Sequence, residues 1–304
     1  AAIAVRLWAH RSAPMDRWLG SPDVVHGTNY VVPPARCPRI VSVYDCWFLE
    51  HPEDADDDVR RAAAALRRAV ADGATVVTSS DATTRRARDL LDTERVRPVL
   101  LGPPDRDDGP VPAAPPVGIP DGSEFVLSLG TIERRKNLPT LVDAFGRLAR
   151  EHPTIRLVVA GAAGNDVNAV DRAISRLPSG AAERVVRTGT VDGAAKRWLL
   201  ANARALAYPS LDEGFGFPIL EAQQAGTPVV ASTAGSIPQI AGAAALLSPA
   251  LDSEALAANL HWIVTNDEMH AKLVRRGAAN EARFSWTATA EHYHSMYREV
   301  ADDV

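Results

Sequence analysis

The strongest constraint on this chain is an alternation, running from residue 125 to residue 265, between short apolar runs and longer helix-forming segments. Apolar runs at 125–129, 155–160, 185–188, 205–208 and 229–231 predict strands, and the segments 138–151, 166–177, 194–202 and 253–265 predict helices. Strands that alternate with helices are joined by crossovers and lie parallel, so this half reads as a doubly wound α/β layer. The same alternation, less regular, precedes it. Strands are expected at 24–25, 39–43, 75–78 and 96–101, with helices at 56–71 and 82–91. Residues 1–10 read as the end of a helix, and 15–21 lead into the first strand. Asp54, Asp56, Asp57 and Asp58 gather where a helix begins, so they read as a solvated helix start favoured by the dipole, not as a metal site.

Between the halves, Pro103, Pro104, Pro110, Pro112, Pro115, Pro116 and Pro120 crowd into one stretch. Such a run can neither donate a strand ladder nor continue a helix, so 102–122 is expected to be an extended linker. The resulting division is a first domain at 1–101, a second at 123–285, and a last helix at 286–304. A chain of 304 residues suits two domains of ordinary size. No stretch approaches the ~20 apolar residues needed to span a bilayer, and no secretory signal pattern opens the sequence. A net charge of −5 argues against a general nucleic-acid binder. Cys37 and Cys46 lack metal spacing and read as reduced cytosolic thiols, a disulfide between them being the minority reading.

The densest chemistry lies at residues 212–222, Asp-Glu-Gly-Phe-Gly-Phe-Pro-Ile-Leu-Glu-Ala, closed by 225–232, Ala-Gly-Thr-Pro-Val-Val-Ala-Ser. Pro218 suits the first helical position, Gly226 suits the left-handed residue after the helix, and Pro228 prevents resumption. Backbone N–H groups around 216–219 are expected to face outward with a partial positive charge that suits a phosphate. Glu213 before the helix and Glu221 within it could then serve a sugar and ribose hydroxyls. The bland alternative is two solvated glutamates beside a helix start. Residues 236–239, Ser-Ile-Pro-Gln, look like a capping box. Gly161 and Gly164 bracket a tight turn. Neither a Gly-x-Gly-x-x-Gly segment nor a P-loop occurs, which disfavours dehydrogenase and P-loop readings.

The spacing Glu-x7-Glu at 213–221 resembles that of the retaining GT-B glycosyltransferases of family 4. So do residues 127–137 (Leu-Ser-Leu-Gly-Thr-Ile-Glu-Arg-Arg-Lys-Asn), 23–30 (Asp-Val-Val-His-Gly-Thr-Asn-Tyr) and the entry to the last helix at 283–286, as in mannosyltransferase-like members. The resemblance implies two Rossmann-like domains facing a cleft, with the last helix crossing back to the first. It implies transfer of a hexose, mannose first, from a nucleoside-diphosphate sugar to a hydroxyl acceptor, with no metal or other cofactor. GDP-mannose is the first expected donor and a UDP-sugar the second. The acceptor is expected to be a glycan, a small molecule or a lipid-linked sugar. The expected location is cytoplasmic, with peripheral contact at the inner membrane surface as an option. Relatives usually open with a strand and a glycine-rich loop; that opening is absent here, which reads as a truncated sequence or a reduced first domain.

Residue by residue, the resemblance assigns Glu213 to the sugar and Arg135 and Lys136 to the two phosphates. A surface basic turn is the alternative for the latter pair. Gly130 and Thr131, with Gly214, Phe215, Gly216, Phe217, Pro218, Ile219, Leu220 and Glu221, form the expected donor site. Lysine occurs only at Lys136, Lys196 and Lys272, and two of the three fall in these segments. Val191 and Lys196 resemble a base-contacting loop, although Asp192 as a simple helix cap explains the same residues. His26, Tyr44 and Asp45 are the acceptor-side candidates. Many relatives carry histidine where Tyr44 stands, and a phenol with a pKa near 10 is a poor proton shuttle at neutral pH. A nucleotide-sugar-binding remnant without catalysis is the second reading. An epimerase or phosphorylase is the third.

Overall fold

The computed structural model describes residues 15–105, 109–116 and 118–302; the helix expected at 1–10 lies outside them. It divides into two compact units, one running to Gly102 and resuming at Phe284, the other spanning Pro103–Arg283.

In the first unit four strands, β1 (Val25–Gly27), β2 (Arg39–Val43), β3 (Thr75–Thr78) and β4 (Val96–Pro98), lie parallel in that order. Alternation along a strand sends successive side chains to opposite faces. Val41, Val43 and Val76 therefore join one core with Leu66 and Ala87, which come from helices α1 (Asp57–Ala71) and α2 (Asp81–Leu91). Ile40 and Val77 join a second core with Met296 and Val300 of the terminal helix Trp286–Asp302. Asp56 caps α1 by accepting from the Val59 N–H at 2.8 Å, while Asp57 and Asp58 pair with Arg60 and Arg61. Asp56, Asp57 and Asp58 form the helix start that their clustering indicated, whereas Asp54 lies in the preceding 3-10 turn Pro52–Asp54 and accepts from the Trp47 indole N–H at 3.1 Å. Cys37 and Cys46 are not joined by a disulfide.

The second unit holds six parallel strands: β5 (Phe125–Leu129), β6 (Arg156–Ala160), β7 (Val185–Gly189), β8 (Ala205–Tyr208), β9 (Val229–Ser232) and β10 (Ala245–Ser248). Their spatial order is β10-β9-β8-β5-β6-β7. The chain thus winds outward from β5 in one direction and then returns to its other side, which places the topological switch between β5 and β8. Val126, Leu157 and Val159 face one core with α3 (Leu138–Glu151) and α4 (Val167–Ser175). Phe125, Leu127 and Val158 face the other with α5 (Gly193–Asn202) and α6 (Phe217–Gln224). The helices α7 (Ile237–Ala241), α8 (Ser253–Thr265) and α9 (Asp267–Glu281) complete the layer.

Several expectations are corrected here. Ser236 stands at the start of α7, but its hydroxyl donates to the Phe215 carbonyl at 2.7 Å and makes no cap bond. Helix α6 begins at Phe217, which puts Pro218 at its second position, still among the turns where a missing N–H costs nothing. Helix α7 begins where the capping-box reading put a helix start, whereas strand β10 and helix α9 were not expected as elements. Among the described residues of 102–122 no helix or strand forms. This stretch lies along the second unit, where Ile119 is buried and the Pro104 carbonyl accepts from the Gln224 amide.

Candidate functional site

Ligands of open α/β sheets bind beyond the carboxyl ends of the strands, at the switch point. Here that position is formed by the loops that leave β5 and β8. The β5 loop is stitched to its neighbour: the Gly130 N–H donates to the Ala160 carbonyl and the Ile132 N–H to the Ala162 carbonyl, each at 2.9 Å. The approach is close enough that a Cβ on Gly161 would lie 1.9 Å from the Gly130 oxygen. Glycine is required there by contact with backbone, which cannot swing aside.

From this anchored start the chain makes a 3-10 turn over Arg134–Lys136 and ends it at Asn137, in the left-handed region with φ 54°. Asn137 is buried, and its amide donates to the carbonyls of Pro209 (3.0 Å) and Ala250 (2.6 Å). The Leu211 N–H donates to the Arg135 carbonyl at 2.8 Å. The loop carrying the cations is therefore bolted to the loop carrying Glu213.

Glu213 is 5% exposed. Lys136 Nζ lies 2.6 Å from its Oε1, and an Arg135 guanidinium nitrogen lies 3.1 Å from its Oε2. Lys136 also donates to the Tyr208 hydroxyl at 3.0 Å. Burial pushes the Glu213 carboxyl up, but the charges of Lys136 and Arg135 outweigh it and hold the group below its ordinary value. Tyr208, fully enclosed and beside that carboxylate, is raised well above the ordinary phenol range. Arg135 also pairs with the more exposed Glu133 at 3.6 Å, so the cations are held in place by carboxylates on either side, and both are positioned to turn toward a phosphate group.

The loop after β9 holds the backbone of Glu213. The Ser236 N–H donates to the Glu213 carbonyl at 3.0 Å. A Cβ on Gly235 would come within 2.6 Å of Asp212 Oδ1 and of the Glu213 backbone, at a φ of +55°. Gly235, Ser236 and Asn137 thus shape the site although none was among the expected site residues. Asn137 was read only as the end of the segment 127–137 and Ser236 only as a capping-box residue, while Gly235 carried no signal beyond its residue type.

The other expected donor residues are placed as follows. Gly214, Phe215, Gly216 and Phe217 form the turn into α6, with the Phe215 and Phe217 rings 4.9 Å apart. Ile219 and Leu220 are wholly buried, so they can offer a ligand only backbone, and the Ile219 N–H is already donated to the Gly216 carbonyl at 3.0 Å. The outward N–H set expected over 216–219 is smaller by that one. Lys196 pairs with Glu221 at 3.0 Å beside a cleft of about 260 Å³ lined by Leu200, Gln224 and Val111. Val191 packs against the core, and Asp192 caps α5 through the Ala195 N–H at 2.8 Å. Thr131 is half-buried on the β5 loop.

The candidates in the first unit are committed to internal bonds. His26 is held by the Tyr297 hydroxyl at 2.7 Å and the Ser42 hydroxyl at 2.9 Å, one on each ring nitrogen, and burial lowers its pKa. Tyr44 donates to the Thr28 carbonyl at 2.9 Å. Asp45 accepts from the Tyr30 hydroxyl (3.1 Å) and the Trp47 N–H (3.2 Å).

Residues 113–280, more than half of the chain, match the model of the family described as Glycosyl transferases group 1. The chain belongs to that family. This group 1 member is 28% identical over 273 residues to an O-antigen chain mannosyltransferase B of Escherichia coli, a match covering 86% of this chain and 71% of that protein. It is 29% identical over 192 residues to a D-inositol 3-phosphate glycosyltransferase of Corynebacterium jeikeium, covering 60% of this chain but only 45% of the relative. A sucrose-phosphate synthase structure from Thermosynechococcus elongatus superposes with a TM-score of 0.71 at 20% identity, covering 95% of this chain and 76% of that one. At that identity the likeness speaks for the fold alone. The fold is GT-B, with Rossmann-like parallel α/β sheets.

Proposed function

We propose that this chain transfers a hexose from a nucleoside-diphosphate sugar to a hydroxyl acceptor with retention of configuration, using Arg135 and Lys136 to stabilise the departing diphosphate. The observation that carries this reading is the buried Glu213 carboxylate clasped by both cations at the switch point of the second sheet. Departure of a nucleoside diphosphate builds negative charge on phosphate oxygens, and preorganised cations lower that barrier. Glu213 spaces and orients the two cations before the donor arrives and faces the sugar afterwards. The leaving phosphate then accepts the acceptor's proton, so no separate protein base is needed. Charge neutralisation by side chains makes a metal unnecessary. Glu221, steadied by Lys196, accepts from the ribose hydroxyls.

GDP-mannose is the first donor to test, in keeping with the name of the Escherichia coli relative, and a UDP-sugar the second. The acceptor is proposed to be a glycan, small molecule or lipid-linked sugar, used in the cytoplasm or at the inner membrane surface. No described helix is long and apolar enough to cross a membrane. A donor-binding chain with impaired transfer is the second reading, favoured by the internal bonds that occupy His26 and Tyr44.

Calorimetric titration with GDP and UDP, paired with transfer of radiolabelled sugar, tests both readings. Binding of one nucleotide with turnover supports the enzyme. Binding without turnover supports the second reading, and absence of binding by either nucleotide overturns both.

A further inference from the structure

Away from the switch-point loops, the end of α3 and the middle of α8 bring three metal-ligating side chains together. His152 Nε2 lies 3.1 Å from His261 Nδ1, and Glu151 Oε2 lies 2.9 Å from the same His261 nitrogen. The three ligand atoms all fall within 4.8 Å of one another. Nothing in the proposed transfer reaction uses them.

The separations have chemical meaning. Around a tetrahedral zinc ion with bonds of about 2.0–2.2 Å, neighbouring ligand atoms stand roughly 3.3 Å apart. The two contacts here are shorter than that by only a few tenths of an ångström. Two imidazole lone pairs would repel at 3.1 Å, so in the ion-free chain one nitrogen of the pair carries a proton. A metal ion takes the place of that proton, and the imidazole carries its hydrogen on the other ring nitrogen. Two neutral imidazoles and one carboxylate are the ligand set of an open zinc site, and the half-exposed position of His261 leaves the fourth place to water.

The scaffold holds these ligands firmly. Leu141, Leu148, Leu256 and Leu260 bury the facing sides of α3 and α8 in one core. His152 ends α3, where its N–H donates to the Leu148 carbonyl at 3.0 Å and its own carbonyl accepts from Arg184 at 2.8 Å. The same guanidinium caps the Ala149 carbonyl at 3.0 Å. Two ligands therefore come from a clamped helix end and the third from a helix packed against it. That arrangement lowers the ordering cost of binding.

We infer that Glu151, His152 and His261 form a surface site for one zinc-class divalent transition-metal ion, which cross-links α3 to α8 and stabilises the second unit. The inference is independent of the proposed transfer chemistry. The test uses the whole chain freed of metal by chelation and dialysis, then titrated with ZnCl₂ by calorimetry and with Co²⁺ by visible absorption. Expected are one strong site, a tetrahedral-type Co²⁺ band, and a Tm that rises on saturation with Zn²⁺. His261→Ala and Glu151→Gln should each weaken that site by about tenfold or more and abolish the Tm rise, with unchanged far-ultraviolet circular dichroism. His51→Ala, in the separate His51, Glu53 and Asp54 cluster, should leave the strong site intact. Loss of the strong site in His51→Ala, or its persistence at full strength in His261→Ala, overturns the assignment, as does the lack of any Zn²⁺-dependent rise in Tm.

Discussion

At the residue scale the site is an electrostatic balance among Glu213, Arg135 and Lys136. A buried charge that loses its partner destabilises a fold by about 3–5 kcal/mol, and Glu213→Gln takes the paired carboxylate from Lys136 and one of two from Arg135. The variant should therefore unfold more readily, yet bind a nucleoside diphosphate as well as the parent or better, because one carboxylate fewer competes with the ligand for Lys136 and Arg135. Sugar transfer should fall by about two orders of magnitude or more. Urea denaturation, GDP and UDP calorimetry and a transfer assay separate the three effects; unchanged transfer would remove Glu213 from the chemistry. His26 makes a prediction of different sign origin. Burial lowers its pKa below 6.5, so the unfolded chain takes up the proton first as the pH falls. The stability it contributes is complete above about pH 6.5 and is lost as the pH drops through the lower folded value. A nuclear magnetic resonance titration of the His26 ring should give a midpoint below 6.5, and a midpoint at or above that value would contradict the buried setting.

At the element scale, three loops lock one another. The β5 loop rests on the β6 turn through Gly161, Asn137 ties it to the β8 loop, and the β9 loop presses on Glu213 through Gly235 and Ser236. Gly235→Ala puts a methyl group where φ is positive and backbone and carboxylate atoms already stand within 2.6 Å. The expected result is a loss of about 1–3 kcal/mol in stability together with weaker nucleotide binding, because the carboxylate moves with its loop. Denaturant melts and calorimetry on the variant check both halves, and wild-type values in both would show that the β9 loop does not position Glu213. The strands of this lock were legible in advance, since runs such as Val-Val-Ala-Ser at 229–232 have little alternative to a buried strand. The lock itself was not. Ser236 looked like a cap because its neighbours fit a capping box, whereas its hydroxyl is claimed by the Phe215 carbonyl, a partner 21 positions away.

At the scale of the whole molecule, the strand order β10-β9-β8-β5-β6-β7 turns a sequence of repeating units into one crevice edge. Residues as far apart as 135 and 213 meet because β5 and β8 are neighbours there, which no local pattern announces. If side chains carry the charge of the leaving diphosphate, transfer should persist in excess EDTA. Loss of turnover restored by Mg²⁺ or Mn²⁺ would assign that task to a metal. The same chelation should lower Tm if Glu151, His152 and His261 hold an ion, so activity and stability respond separately to one reagent.

The sequence by itself determined the parallel α/β class, most strands and helices of the second unit, and the segments that carry Glu213, Arg135 and Lys136, because apolar periodicity and turn chemistry act over a few residues. It also left weak elements unseen, such as β10, whose alanine-rich start lacks the β-branched density of its neighbours. Only the tertiary structure decided that Glu213 is held by both cations, that His26 spends both ring nitrogens on hydroxyl partners, and that two histidines and a glutamate converge between α3 and α8. Those facts depend on which strands and helices become neighbours, and that choice is made by burial summed over the whole core, not by any one segment.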